Sequence, residues 1–259
     1  MIQVVKIGGN IVDNPEALDA FCQAFARMEG PKILVHGGGV MASHIQESLG
    51  LKPIMVEGRR VTDRKTLSVV TMVYAGYCNK TIVALLQKYG CNALGLAGCD
   101  GGVIRARRRG PKTLSDGFTK MDFGFVGDVS PTSFNIPFIR DMLAGAIVPV
   151  FCPINHDGQG QLFNTNADTI AGSLAAALCA GLVYCFEKKG VLYDKEDDNS
   201  VIPVLDKQTY ERYRLEGRID KGMVPKLDNA FGAMQKGASR VVIKHALDLL
   251  DDTGTILEA

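Results

Sequence analysis

The stretch Val5-Lys6-Ile7-Gly8-Gly9-Asn10 decides how the rest of the chain is read. It ends an apolar run from Ile2 to Ile7 that has one lysine set into it, the pattern of a short buried strand. Two glycines follow. Without a Cβ, glycine lets the backbone approach a ligand closely. Successive N–H groups then converge into a concave, partly positive nest. Lys6 adds a full charge to it. Ile33-Leu34-Val35-His36 followed by Gly37-Gly38-Gly39 repeats the arrangement. Two strands that each end in a glycine cluster predict two anion cradles side by side.

Outward from these strands, helical and extended patterns alternate. Asp13 or Asn14 caps a first helix, with Pro15 in its first turn and Leu18, Phe21, Cys22 and Phe25 on one face. Residues 41–49 form a second helix that carries Ile45 and Leu49 inward. Residues 54–57 and 60–62 make a hairpin around Gly58. Thr62 or Asp63 caps a long helical pattern over 63–89, interrupted at Gly76. That helix reads equally well as a core element and as a subunit contact. Strands are predicted at 93–96, 102–106, 123–129, 146–151, 162–163, 182–186 and 240–243. Helices are predicted at 130–145, 166–180, 206–216 and 224–236, and Thr253-Gly254 turns the tail into an edge strand. The alternation predicts an α/β fold: a three-layer αβα sandwich around an open, mainly parallel central sheet. Ligands collect at the carboxyl ends of such strands, where both glycine clusters lie.

The 259 residues suffice for one large domain or two lobes on one sheet, here divided as 1–165 and 166–259. A formal net charge of +1 gives no reason to expect nucleic acid or an anionic membrane as partner. Seven scattered cysteines, with no CxxC spacing and most of them within apolar runs, are read as free thiols of a reducing, cytoplasmic protein. The uncharged span 169–186 is long enough to raise a membrane reading. Gly181 falls where a helix should stop, so the span is read as a buried helix followed by a buried strand. The basic run Arg105, Arg107, Arg108, Arg109 and Lys112 has no interleaved aromatic residues and reads as a solvated hairpin tip.

Familiar nucleotide motifs are missing. Asn79-Lys80-Thr81 imitates the end of a phosphate-binding loop, but Asn79 stands where glycine is needed. Gly95, Gly98 and Gly101 do not have dinucleotide spacing. What remains is a set of landmarks in order: Lys6-Ile7-Gly8-Gly9, His36-Gly37-Gly38-Gly39, Gly58-Arg59-Arg60-Val61-Thr62, Asn164-Thr165-Asn166-Ala167-Asp168 and Lys221-Gly222-Met223-Val224-Pro225-Lys226. This set resembles the amino acid kinase family over nearly the whole chain, and within it the N-acetylglutamate kinases.

The resemblance implies transfer of a phosphoryl group from ATP to the side-chain carboxylate of an N-acyl-L-glutamate, acetyl by family default, in arginine biosynthesis. It implies that Lys6 and Lys226 flank the phosphoryl group in transit, with Asp168 between them. Gly8, Gly9, Gly38 and Gly39 would supply N–H donors. Arg60 would hold the α-carboxylate, where a planar fork binds in bidentate fashion. Asn164 would hydrogen-bond the amide or carboxylate end of the substrate. Glu187, Lys188, Gly190, Leu192, Ile219 and Asp220 would line the ATP site, and Mg2+ would arrive on the ATP phosphates. One segment departs from the family pattern: Lys188 and Lys189 replace its usual residues in Phe186-Glu187-Lys188-Lys189-Gly190-Val191-Leu192.

Each residue also has a plainer reading. Asp168 favours any helix N-terminus, Asn166 is an N-cap, Lys226 can lie on a solvated helix face, Arg59 is a surface hairpin residue, and His36 packs locally. The competing functions are another amino acid kinase, acting on carbamate, aspartate, glutamate or UMP, and a non-catalytic nucleotide or amino-acid sensor. An acceptor panel separates them. The resemblance also implies a homodimer through the 63–89 helix. Arginine-inhibited hexameric members carry an extra N-terminal helix, so insensitivity to arginine is expected of a chain that opens on its first strand.

Overall fold

A computed structural model describes residues 1–219 and 222–258. Its centre is an eight-stranded sheet built from β1 (Gln3–Ile7), β2 (Lys32–His36), β3 (Ala93–Leu96), β4 (Val148–Phe151), β5 (Gly181–Phe186), β6 (Val204–Asp206), β7 (Arg240–His245) and β8 (Thr255–Glu258). Their order across the sheet is β6-β8-β7-β5-β1-β2-β4-β3. All neighbours pair in parallel except β7 and β8, so β6 and β8 run against the other six.

The period of two residues along each strand distributes side chains between two cores. On one face Val4, Ile33, Val35, Leu182 and Tyr184 meet α4 (Ile136–Ala144), α5 (Ala167–Leu178), α6 (Lys207–Leu215) and α7 (Val224–Gln235). On the other, Val5, Ile7, Leu34 and Cys185 meet α1 (Pro15–Arg27), α2 (Gly39–Ser48) and α3 (Arg64–Lys88). The expected three-layer sandwich is therefore present. Asn14 caps α1 through Glu16 N and Ala17 N, and Asp206 caps α6 through Thr209 N.

Several expectations need correction. Of the residues expected inward on α2, Ile45 packs against the core, but the fully buried positions are Ala42 and Gln46, and Leu49 is exposed beyond the helix end. Helix α3 is not broken at Gly76 but runs through it within a π-helical segment, Met72–Cys78. Only Gly127–Asp128 of the predicted strand 123–129 pairs regularly, with Arg107–Arg108, and no strand forms over 102–106. Helix α4 starts at Ile136, after a 3-10 turn over Pro131–Ser133. The tail strand β8 is not an edge strand: β6, which the sequence pattern did not show, lies outside it.

The uncharged span divides as expected. Helix α5 ends at Cys179, in the left-handed region at φ 51°, and β5 begins at Gly181. Among the described residues one helix, α3, is long and apolar enough by length and composition to cross a membrane; here it packs with α1 and α2 in one layer of the sandwich. All seven cysteines are free thiols, five of them buried.

Candidate active site

Lys6 is the penultimate residue of β1. The alternation that sends Val5 and Ile7 into one core turns Lys6 toward the opposite face, beneath the first turn of α5. Its ammonium lies 2.6 Å from Asp168 Oδ1. It also lies 5.2 Å from the centre of the Phe186 ring, and the Lys226 ammonium lies 3.8 Å from that same centre. One aromatic face thus gathers two cations from opposite ends of the chain, an arrangement favoured by the negative ring face.

Asp168 is placed by the capping of α5. Asn166 accepts from Thr169 N at 3.0 Å, and Tyr184 Oη donates to the Asp168 carbonyl at 2.9 Å. A carboxylate in the first turn is also stabilised by the helix dipole.

A cavity of about 190 Å³ opens beside this pair, lined by Lys6, Gly9, Gly37, Gly38, Gly39, Arg60, Asn164 and Asp168, among others. The N-termini of the Gly9–Val12 turn, α2 and α5 all reach it. Their unpaired N–H groups suit an anion. Gly38 has φ 156°, and a Cβ there would lie 3.0 Å from both Cys78 Sγ and Tyr74 Cδ1. Only glycine fits where the loop passes this close to α3. Gly8 is not among the lining residues; it stands just before the helical turn.

Arg60 is 6% exposed. Its Nη2 donates to Gly39 O at 2.7 Å and Ser43 Oγ at 2.8 Å, and its Nη1 donates to Gln46 Oε1. Gln46 donates in turn to Thr66 Oγ1 at 3.1 Å. The guanidinium is thus tied to α2 before any ligand arrives. Asn164 Nδ2 donates to Thr62 Oγ1, whose hydroxyl donates to Arg60 O.

A second cavity, of about 250 Å³, is lined by Lys188, Gly190, Val191, Leu192, Lys195, Ile219, Gly222, Met223 and Lys226. Four of the residues expected around a nucleotide are here. Glu187 lines a separate depression with Lys189, Asp198 and His245, and Lys188 pairs with Asp198 at 2.7 Å. Asp220 lies outside the described residues.

His36 is fully buried. Asn79 Nδ2 donates to its Nε2 at 3.1 Å and to Val150 O at 2.9 Å, so Nδ1 carries the proton and donates to Gly37 O at 2.7 Å. Burial pushes the imidazole pKa down to about 4, keeping it neutral. Asn79 is therefore a structural tie between α3, β2 and β4, which explains its place in a sequence that only imitates a phosphate loop.

The amino acid kinase family pattern matches residues 1–245. This chain belongs to the amino acid kinase family. It is 49% identical over 254 residues to the acetylglutamate kinase of Cytophaga hutchinsonii, across 96% of this chain and 93% of that one. It is 50% identical over 258 residues to the acetylglutamate kinase of Bacteroides fragilis, across 98% and 95%. The crystal structure of smu.665 from Streptococcus mutans superposes with a TM-score of 0.78 at 25% identity, covering 100% of this chain and 98% of that one.

Sequence reasoning missed some cavity residues of this amino acid kinase. Arg59 lines the cavity instead of lying on a free hairpin surface. So does Arg109, whereas Arg105, Arg107, Arg108 and Lys112 are exposed as expected. Arg109 is drawn in by the register of Arg107–Arg108 on Gly127–Asp128. Its Nε donates to both Asp128 oxygens, at 3.0 and 3.2 Å. Nothing in the local sequence distinguishes it from its basic neighbours.

Proposed function

We propose that this chain transfers the γ-phosphoryl group of ATP to the side-chain carboxylate of N-acetyl-L-glutamate, or another N-acyl-L-glutamate, forming an acyl phosphate and ADP. The observation that carries this reading is the buried Lys6–Asp168 pair sharing the Phe186 ring with Lys226. Lys6 borders the cavity of the glycine loops, and Lys226 borders the second cavity.

In this mechanism the acceptor carboxylate enters the first cavity with its α-carboxylate at Arg60 and its remainder near Asn164. The nucleotide occupies the second, along Gly190, Leu192 and Ile219. A carboxylate oxygen attacks the γ-phosphorus in line as the bond to the ADP oxygen breaks, and no proton needs to move. Charge spreads over the equatorial phosphoryl oxygens in the transition state. Lys6, Lys226 and the N–H groups near Gly9, Gly38 and Gly39 neutralise it, and Asp168 orients Lys6. Mg2+ would be held on the ATP phosphates, where it would supply further charge neutralisation.

Residues 1–165 serve the acceptor and 166–259 the nucleotide. The assembly is a cytoplasmic homodimer through α3, whose exposed face carries Met72 and Tyr77, 60% and 61% exposed. Light scattering of the intact chain and of Tyr77→Glu tests the dimer; a monomer in both cases removes it. The reaction is tested by ADP release and by trapping the acyl phosphate with hydroxylamine. Hydroxamate formed with N-acyl-glutamates and absent with carbamate and UMP is expected. ATP binding without turnover of any acceptor would favour a sensor instead.

A further inference from the structure

The first cavity holds more positive charge than N-acetyl-L-glutamate needs. Its lining includes four cationic side chains, Lys6, Arg59, Arg60 and Arg109, against one carboxylate, Asp168. Lys6 is matched by Asp168. Arg60 stands ready for one carboxylate of the substrate, with its amino groups fixed by Gly39, Ser43 and Gln46. Arg109 is matched on one edge only. Asp128 takes its Nε and Nη2, while Nη1 is buried without a hydrogen-bond partner and the side chain is only 10% exposed. Arg59 makes no hydrogen bond or ion pair through its side chain among the described residues. Burial, and next the charge of Arg109, push its pKa below the ordinary arginine range. Asp128, Asp168 and Glu57 act on Arg59 in the opposite sense without forming an ion pair with its side chain, which leaves its guanidinium to a carboxylate that enters the cavity.

N-acetyl-L-glutamate has two carboxylates. One goes to the phosphoryl group and the other to Arg60. Its acetyl group is neutral and gives Arg59 and Arg109 nothing to bind. We infer that the acyl group preferred by this site itself ends in a carboxylate, held by Arg59 together with Arg109, so that the acceptor is a dicarboxylic-acyl glutamate such as N-succinyl-L-glutamate. Met55 and Val126, also in the lining, suit the methylene carbons of such an acyl chain. This inference rests on the kinase reading above and specifies its acceptor. It also makes Arg59 and Arg109 specificity residues that take no part in phosphoryl transfer.

The test compares kcat/KM for N-succinyl-, N-acetyl- and N-butyryl-L-glutamate with saturating ATP, in the intact protein and in Arg59→Met and Arg59→Lys. Butyryl matches succinyl in carbon number but lacks the terminal charge. The intact protein should favour succinyl over both neutral acyl groups by about 100-fold or more, since a site built around a charged group rejects analogues lacking it. Arg59→Met should bring the ratio toward unity by losing activity on the succinyl substrate, and Arg59→Lys should keep part of it. Equal or better use of the acetyl substrate by the intact protein overturns the inference, whether or not the variants fold. So does an Arg59→Met variant that loses the same factor on all three. Phosphorylation of none of the three overturns the kinase reading itself, a result distinct from a lost preference.

Discussion

The ammonium of Lys6 lies 2.6 Å from the carboxylate of Asp168, with the two side chains 8% and 14% exposed. A pair this buried is a poor source of stability, because desolvation offsets most of its Coulomb attraction. Its value is positional: it holds one cation at the mouth of a glycine-lined cavity. Lys6→Ala should lower kcat by roughly 100- to 1,000-fold, as for other lost transition-state donors. It should also destabilise the fold by about 3 kcal/mol by leaving Asp168 uncompensated. Steady-state kinetics with urea unfolding checks both, and unchanged turnover removes Lys6 from the mechanism.

Lys226 shares the Phe186 ring but borders the other cavity. Lys226→Ala should reduce kcat by a similar factor of roughly 100 to 1,000 while leaving the KM for the acyl-glutamate nearly unchanged. A raised acceptor KM with normal kcat would reassign it to acceptor binding.

Arg60 is preset by Gly39 O, Ser43 and Gln46. Lysine cannot reproduce that planar fork. Arg60→Lys should raise the acceptor KM by roughly 10- to 100-fold, the loss of one or two charge-assisted bonds, with the KM for ATP little affected. An unaltered acceptor KM would exclude it from carboxylate binding.

His36 supplies a pH dependence of stability. Its pKa is about 4 when folded, against the ordinary imidazole value of 6.5. Between those values the unfolded chain binds more protons, so stability falls as pH drops from 6.5 toward 4. The contribution lost by pH 5 is about 2 kcal/mol. Unfolding midpoints at pH 7.5 and 5 measure this, and His36→Gln should flatten the difference. An equal slope in the variant would assign the effect to other groups.

At Gly38, alanine would have to adopt φ 156° and place its Cβ 3.0 Å from Cys78 and Tyr74. Gly38→Ala should destabilise the chain by about 1–3 kcal/mol and lower activity by displacing the loop. An unchanged unfolding midpoint would show that α3 yields at this contact.

The local sequence was enough to determine the glycine clusters at two strand ends, the strand and helix alternation, most helix caps and the order of landmarks that marks the family. These features depend on residues close together in the chain: glycine freedom after a strand, an Asn or Asp before a helix, a period of two or of 3.6. The inward face of α2 was misread because apolar content pointed to Leu49, whereas the buried position belongs to Gln46, whose amide holds Arg60. Strand β6 was missed because its three residues become a strand only by pairing with β8.

Tertiary structure alone decided which cations share a cavity. Lys6 meets Asp168 because β1 lies in the sheet beneath the first turn of α5, and Lys226 joins them over Phe186 because α7 packs against α5. Arg59 enters the cavity through a hairpin position beside Arg60, and Arg109, alike in sequence to its exposed basic neighbours, enters it through a strand register. Their charge matters only through proximity in space, and proximity between residues far apart in the chain is set by packing.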